Sequence, residues 1–422
     1  MKPSTILKKY KNFLYLLIIF PFIQLGISTY LSVQFIAFIL LVLFVWRFPA
    51  SKKHSVLFDA FVLSMFMFPS LFVFINSPNL YDHILRIFRE LFCILILFSI
   101  INIARSHPID LKTIVNQANW VKPLIMFLCL SFFLFAVFQF FAIKQAIRLW
   151  LPIDWYAMKD QILPDENDIL YAAYTNLRPS SFFTEPSYLG FMVLSMLLIV
   201  WSIFSERAKW VLVSVLLATV LVSRSLSGVI FFFIMLFVLI NFKNGFLKKI
   251  NNNKVAIQGL IAVLSIFSAL IILQITATPV LGRVKVILTD KTSSLFRIYY
   301  PLQMLGFALR NYPFGIPFNE YQHIFSYFPV LRIDNGLLYI GVTYGVLSIP
   351  LLIYILFKIK NPVLILFFVF SSIFNGSVFY FDKVAIMSIG MMIYILEFEK
   401  NNGYKKHSFS AVSQQINRRE LA

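Results

Sequence analysis

Charged side chains are scarce in this chain of 422 residues. Asp, Glu, Lys and Arg make up 13% of the sequence, and 60% of the residues are hydrophobic. Soluble domains carry about 25% charged residues, so this composition excludes an ordinary soluble protein. The polar segments are also too short to form a separate soluble domain. We therefore predict an all-α integral membrane protein.

The low number of cysteines and histidines and the lack of common motifs argue against several classes of function. The two cysteines, Cys93 and Cys129, both fall inside apolar segments, so we expect no disulfide framework and two packed thiols. No G-x-x-x-x-G-K-[ST] phosphate loop is present, which leaves an ATP-driven function without support. The five histidines are scattered over both predicted faces, so we expect neither a metal site nor another cofactor. We find no internal repeat and no small-residue cleavage site after the basic start.

Long apolar runs are the main positive feature of the sequence. Runs of this length can cross a hydrocarbon layer about 30 Å thick. We predict about twelve spans, of which the seventh and eighth are short and could be tilted, half-buried or re-entrant. The predicted spans are 12–28, 30–46, 55–75, 84–103, 123–143, 188–204, 209–222, 228–242, 255–276, 336–357, 362–376 and 384–399.

Basic residues predict the orientation of these spans. With both termini inside, most of the 37 Lys and Arg residues fall in inner segments, whereas the 18 acidic residues concentrate outside. The net charge of +19 is then explained mainly by basic inner segments, which orient the chain in the membrane and are attracted to anionic lipid. Nucleic-acid binding is not needed to explain it. We predict one polytopic membrane domain over residues 1–400 and a disordered, basic, cytoplasmic tail over 401–422.

Arginine and lysine are distributed differently on the two predicted sides. Lysine dominates inside, and arginine exceeds lysine outside. The planar guanidinium group suits bidentate contact with phosphate or carboxylate, so the outer arginines suggest a phosphate-bearing ligand. Pairing with acidic loop residues, or chance, is the alternative. The outer arginines are Arg86, Arg89, Arg148, Arg178, Arg224, Arg283, Arg297, Arg310 and Arg332.

Two predicted outer loops, about 144–187 and 277–335, are much longer than the other connections. Loops this long in a compact bundle are usually functional or disordered. The first is rich in aromatic residues, which could form an interfacial belt or stack on sugars. It ends in R-P-S-S-F-F-T-E-P-S (178–187), which places Arg178 and Glu185 at the lip of a span.

The second loop contains an amphipathic helix candidate at residues 294–311. An apolar stripe is formed by residues 295, 298, 302, 305 and 309, and Pro301 predicts a kink or a break. We expect this helix to lie in the outer membrane interface. A turn-rich connection over 311–320 follows it.

Two smaller outer features carry charge. The hairpin S-R-S-L-S-G (223–228) places Arg224 among small residues, as a ligand contact or as a snorkelling anchor. Near the outer end of the fourth span, Arg86, Arg89 and Glu90 form a cluster. Their spacing favours a local Arg–Glu pair over a functional site.

At this point four motifs resemble those of a known family. They are R-P-S-S-F-F-T-E-P-S (178–187), S-R-S-L-S-G (223–228), S-S-L-F-R-I-Y-Y (293–300) followed by N-Y-P-F-G-I (311–316), and D-N-G-L-L-Y-I-G-V-T-Y-G (334–345). Their order and spacing over about 120–350 resemble the O-antigen polymerase and ligase superfamily. Ligases typically carry a His-Asn pair where this chain has Asp334-Asn335, so the resemblance favours the Wzy-like polymerase branch.

The resemblance implies a metal-independent glycosyltransferase-type polymerase of the bacterial inner membrane. It would join polyprenyl-pyrophosphate-linked oligosaccharide repeat units on the periplasmic face, in O-antigen biosynthesis, and a chain-length regulator is an implied partner. An O-antigen ligase or a lipid-linked oligosaccharide flippase or transporter is the alternative. A transporter would place polar groups near the middle of several spans, and here these positions are mainly apolar.

The chemistry assigns candidate residues. Arg178, Arg224 and Arg297 are predicted to stabilise the departing pyrophosphate. Glu185, Asp334 or His323 is the candidate base, although Glu185 could equally brace an arginine. Further substrate contacts are predicted at Arg283, Arg310, Arg332 and Tyr300.

Overall fold

The computed structural model describes thirteen stretches of the chain. They are residues 20–23, 33–47, 53–72, 75, 79–106, 120–145, 179–183, 186–243, 300–316, 320, 333, 335–373 and 379–399. Within these stretches every regular element is helical. The predicted all-α class is therefore confirmed for the part of the chain that the structure describes.

The described helices follow one another along the chain in a single order. After a 3₁₀ turn at Phe20–Phe22, the first seven are α1 (Val33–Arg47), α2 (Lys53–Met67), α3 (Pro69–Phe72), α4 (Leu80–Ser106), α5 (Val121–Lys144), α6 (Pro186–Ile203) and α7 (Glu206–Val222). They continue as α8 (Leu226–Lys243), α9 (Tyr300–Asn311), α10 (Gly336–Tyr344), a 3₁₀ turn (Gly345–Leu347), α11 (Ser348–Ile359), α12 (Pro362–Ile373) and α13 (Phe381–Tyr394), which ends in a π turn (Ile395–Glu399).

Three helical segments are long and apolar enough to cross a membrane. They are Val121–Lys144, Pro186–Ile203 and Gly336–Ile359, and shorter apolar helices accompany them. Each predicted span within the described residues overlaps a helix. The count of twelve stays a prediction, because most of the first span (12–28) and all of the ninth (255–276) lie outside the described residues.

The burial of their side chains shows that α6 is central in the bundle and that α5 is peripheral. Every residue of α6 from Ser187 to Ile203 is buried. In α5 one face is buried through Ile125, Cys129 and Phe132, while Phe127 and Phe138 are exposed on the other. An apolar surface of this kind suits contact with lipid. Both cysteines are free and buried, as predicted.

Contacts at the two ends show that successive long helices run in alternating directions. At one end, Gln34 near the start of α1 contacts Tyr188 near the start of α6. At the other end, Lys358 near the end of α11 pairs with Asp59 near the start of α2 at 2.5 Å. We call the first of these the outer end, following the predicted charge distribution. There α1, α4, α6, α8, α10 and α13 begin, and α5 and α7 end.

The inner end is held by polar contacts to backbone. Arg105 at the end of α4 donates to the carbonyl oxygens of Lys358 at 3.0 Å and Ile359 at 2.5 Å. These carbonyls close α11 and have no partner within the helix. A guanidinium at a helix C-terminus also interacts favourably with the helix dipole. The side chain therefore caps α11 and joins it to α4.

Candidate active site

The segment Pro179–Phe183, inside the first predicted motif, is fixed by one buried glutamine of α5. Gln139 accepts from the backbone amides of Ser180 at 3.0 Å and Ser181 at 2.8 Å, and its own amide donates to the Ser181 carbonyl at 2.9 Å. Ser181 has a positive φ of 56°. The glutamine thus satisfies three backbone groups of an irregular turn, which would be costly to bury unpaired.

Aromatic contacts dock the same segment on α5. Phe182 stacks on Phe135 with ring centroids 4.3 Å apart, and Phe183 meets Phe132 edge-on at 5.2 Å. Phe183 is fully buried. The middle of the motif is therefore packed into the bundle and does not stand free as a polar loop.

Arg224 lies at the same outer end, between α7 and α8. Its φ is 52°, a conformation that non-glycine residues rarely adopt. The guanidinium carbon lies 5.4 Å from the centroid of Phe140, the residue after Gln139. No carboxylate of the described residues forms an ion pair with Arg224. The hairpin thus presents a half-buried cation whose charge is unmatched in the described part of the chain.

Helices α6 and α8 approach closely beside this hairpin. A Cβ added at Gly228 would lie 3.0 Å from the Ser225 hydroxyl and 3.3 Å from the Cα of Gly190. The amide of Gly228 also donates to Ser225 Oγ at 3.3 Å. The structure therefore brings the start of α6, which follows Glu185, next to the Arg224 hairpin.

A second loop segment docks into a break in the next span. The predicted span 336–357 coincides with the apolar helical segment Gly336–Ile359. Within it, α10 ends at Tyr344 and a 3₁₀ turn precedes α11. The Ile316 amide donates to the Val342 carbonyl, and the Val346 amide donates to the Pro313 carbonyl, both at 2.8 Å. The 311–316 turn thus supplies partners for backbone groups that the break leaves without helical ones.

Two glycines make this docking possible. Gly315 and Gly345 have positive φ values of 98° and 56°. A Cβ on Gly345 would lie 2.1 Å from the Pro313 carbonyl oxygen, and one on Gly315 would lie 2.2 Å from the Thr343 oxygen. Only glycine allows the two backbones to approach this closely.

Helix α9 covers residues 300–311 of the predicted amphipathic helix. Residues 294–299 lie outside the described part of the chain, so the kink or break predicted at Pro301 stays a prediction. The face packed against α10 carries Met304 and Ala308, whereas Leu302 and Leu309 of the predicted apolar stripe are exposed. Leu305, from the same stripe, is partly buried and packs toward Gly341 of α10, so only Leu302 and Leu309 among the described residues of the stripe are available to lipid.

A buried carboxylate on α4 joins the broken span to the rest of the bundle. Glu90 is 1% exposed and accepts from the hydroxyls of Tyr339 at 2.9 Å and Tyr344 at 2.6 Å. Arg86 Nε lies 3.5 Å from Glu90, which confirms the predicted local Arg–Glu pair. Arg89 lies over the Tyr380 ring at 5.0 Å. The sequence did not reveal the two tyrosine partners.

Tyr188 links the first motif to α13. Its hydroxyl donates to Asp382 Oδ2 at 2.6 Å and accepts from Gln34 Nε2 at 3.3 Å. Tyr188 also contacts the Phe183 ring at 5.8 Å. The start of α6 is thus fixed by Tyr188, three residues after Glu185, and by Phe183, two residues before it.

A family model described as WcaD colanic acid polymerase matches residues 6–394, nearly the whole chain. This chain belongs to the WcaD colanic acid polymerase family. No curated protein and no solved structure gives a significant match.

Membership of this polymerase family identifies a polysaccharide repeat-unit polymerase in the membrane, with lipid-linked oligosaccharide as its substrate. It supports the resemblance to a Wzy-like polymerase family. Production of O-antigen in particular stays a prediction.

The predicted site residues fall into two groups. Arg224 and Arg310 are described, Arg224 as a half-buried residue and Arg310 as an exposed residue of α9. The backbone of Tyr300 begins α9. The predicted residues that lie outside the described part are Arg178, Glu185, Arg283, Arg297, His323, Arg332 and Asp334.

Some polar residues of the outer end were missed by the sequence reasoning. Gln139, Gln34 and Asp382 lie within or beside apolar helices. A polar residue in an apolar segment could have marked these positions in the sequence as candidates. Asn335, next to Asp334, caps α10 by accepting from the amides of Leu337 at 3.0 Å and Leu338 at 3.3 Å. This position therefore has a structural role that the motif alone did not reveal.

Proposed function

We propose that the chain joins polyprenyl-pyrophosphate-linked oligosaccharide repeat units at the periplasmic face of the bacterial inner membrane. The observation that carries this proposal is the family match over residues 6–394. The gathering of the 179–183 segment and the Arg224 hairpin at one end of the bundle supports a reaction at that surface.

In the proposed reaction an acceptor hydroxyl oxygen forms a bond to the anomeric carbon of the donor saccharide. The bond from that carbon to the pyrophosphate oxygen breaks, and polyprenyl pyrophosphate leaves with the electron pair. The hydroxyl proton passes to a base, for which Glu185, Asp334 and His323 are the candidates.

Arginines would stabilise the charge that develops on the leaving pyrophosphate, without a metal ion. Arg224 is the best supported, because its guanidinium has no matched carboxylate among the described residues and lies over an aromatic ring. We propose Arg178 and Arg297 as its partners, with Arg283, Arg310 and Arg332 as further phosphate contacts and Tyr300 as a sugar contact.

A lipid-linked oligosaccharide flippase is the second candidate. Transporters often contain broken helices and buried charges, and this chain has a break at Gly345 close to the Glu90–Arg86 pair. A ligase, the other alternative from the sequence, has less support because the family model describes a polymerase.

Surface polysaccharide of cells that carry only an Arg178→Ala or Arg297→Ala chain tests the proposal. A polymerase defect leaves exported single repeat units that are not joined. A flippase defect leaves no units outside, and a ligase defect leaves long polymer that is not attached to its lipid acceptor. Loss of the single units together with the polymer would contradict the proposed polymerase.

A further inference from the structure

A small pocket opens between the start of α4 and the broken span. It holds about 10 Å³, enough for one water molecule or one hydroxyl group. The polar and aromatic residues that line it are Ser70, His83, Arg86, Tyr339, Thr343 and Tyr344.

Thr343 presents an unused hydroxyl to this pocket. It is 4% exposed, and its Oγ1 has no hydrogen-bond partner among the described residues. Other helical hydroxyls in the bundle, such as those of Ser202 and Ser372, donate to the carbonyl four residues earlier. A buried hydroxyl that makes no such bond and lines a pocket calls for a partner within the pocket.

The pocket has no surplus positive charge. Arg86 lies beside Glu90. His83 is a cation only when protonated, and its Nε2 lies 3.6 Å from the Glu320 carboxylate. Glu90 in turn accepts from both tyrosines of the pocket. A phosphate would find no surplus positive charge here, in contrast to the surroundings of Arg224. A neutral hydroxyl, which donates one hydrogen bond and accepts others, fits this balance.

The position of the pocket suits a group that arrives from the outer end. His83 and Arg86 lie in the first turns of α4, and Thr343 is two residues before the break at Gly345. Arg86 covers the ring of Tyr339 at 5.1 Å, so one wall is flat and aromatic.

We propose that this pocket binds one hydroxyl group of the saccharide part of the lipid-linked substrate, with Thr343 as its direct hydrogen-bond partner. The inference rests on the proposed function for the identity of the ligand. In this proposal two parts of the substrate bind at different places. The phosphate contacts arginines such as Arg224, and one sugar hydroxyl enters the pocket at Thr343.

Binding to the full-length chain in lipid nanodiscs tests this assignment. The probes are the free oligosaccharide repeat unit, released from the polysaccharide of the same cells, and inorganic pyrophosphate. Thr343→Val removes the hydroxyl at nearly constant shape and should weaken oligosaccharide binding about 2- to 10-fold, the range for one lost hydrogen bond. Thr343→Ser should restore binding, and pyrophosphate binding should not change.

Ser371→Ala is the matched control, because the Ser371 hydroxyl is also buried without a described partner but does not line the pocket. It should bind the oligosaccharide as the unchanged protein does. If Thr343→Val fails to fold, Thr343→Ala removes the same hydroxyl and must show the same loss.

Several results would overturn the assignment. Unchanged oligosaccharide binding by Thr343→Val would mean that the pocket holds only water. An equal loss in Ser371→Ala, a loss of pyrophosphate binding, or no oligosaccharide binding by the unchanged protein would also reject it. Failure of the proposed function is separate, since it is seen as absence of joining when lipid-linked units are supplied.

Discussion

At the scale of single residues, the outer end is organised by side chains that hold irregular backbone. Arg224 itself has a left-handed conformation, which costs about 1 kcal/mol or more for a non-glycine residue. The Arg224 guanidinium packs over the ring of Phe140 on α5. A strained position that carries an unmatched cation is consistent with a functional role for that cation.

We predict that Arg224→Lys lowers polymerisation about 10-fold or more, because lysine keeps the charge but loses the bidentate contact with phosphate. Polymer length on complemented cells is the measurement. Arg207→Lys at the opposite end of α7 is the matched control and should leave polymer unchanged. Arg224→Gly should be at least as stable as the unchanged chain, because glycine adopts a positive φ without strain. It should still lose function, because the guanidinium group is absent. Normal polymer from Arg224→Lys would remove this residue from the site.

Gln139 carries a prediction about stability. Replacing it with leucine leaves three backbone groups of the 180–181 turn without partners, so we expect a loss of about 3 kcal/mol. The thermal unfolding midpoint of the detergent-solubilised chain is the measurement. Gln145→Leu, at the exposed end of the same helix, is the control and should have little effect. Equal midpoints for the two variants would show that the Gln139 contacts are dispensable.

At the scale of elements, the main feature is the contact between the 311–316 turn and the break after α10. The two backbones exchange hydrogen bonds and approach through Gly315 and Gly345. Glu90 fixes the span on both sides of Thr343 through Tyr339 and Tyr344. The position of the second loop thus depends on the break in the span.

Gly345→Ala should destabilise the chain by more than about 3 kcal/mol, because its methyl group would overlap the Pro313 carbonyl and its backbone would be strained. The yield of monodisperse protein and its unfolding midpoint are the measurements. Gly306→Ala is the control, since nothing lies within 4 Å of its added Cβ. Alanine there should raise stability by up to about 1 kcal/mol. Equal behaviour of the two variants would contradict the described docking.

At the scale of the whole molecule, the alternation of helix direction agrees with a bundle whose motifs gather at one end. The assignment of that end to the periplasm comes from the sequence alone. The two native cysteines are buried, which makes the chain suitable for labelling at introduced cysteines.

Gln145→Cys should react with a membrane-impermeant maleimide in intact spheroplasts, and Arg207→Cys should react only after the membrane is opened. This follows from the placement of basic residues inside. Labelling in the opposite order would invert the orientation and place the candidate site in the cytoplasm.

The sequence predicted much of this arrangement because apolar runs and local motifs report on single helices. It located the described helices to within a few residues and predicted the Arg86–Glu90 pair. The role of Arg224 stays a prediction. It could not predict that Gln139 holds residues 41 and 42 positions further along the chain, or that Gly315 and Gly345 meet. Such contacts depend on tertiary packing, and no local pattern encodes them. The packing of Met304 and Ala308 against α10 was missed for the same reason, since lipid and protein both accept an apolar face.

The central claim, that the chain joins lipid-linked saccharide units, is tested most directly with the purified protein in vesicles. Polyprenyl-pyrophosphate-linked repeat units are supplied as the sole substrate, and products are separated by length. We predict a ladder of joined units, with one polyprenyl pyrophosphate released per bond formed, and no ladder from Arg224→Ala. Passage of unjoined units across the bilayer, without any ladder from the unchanged protein, would contradict the account.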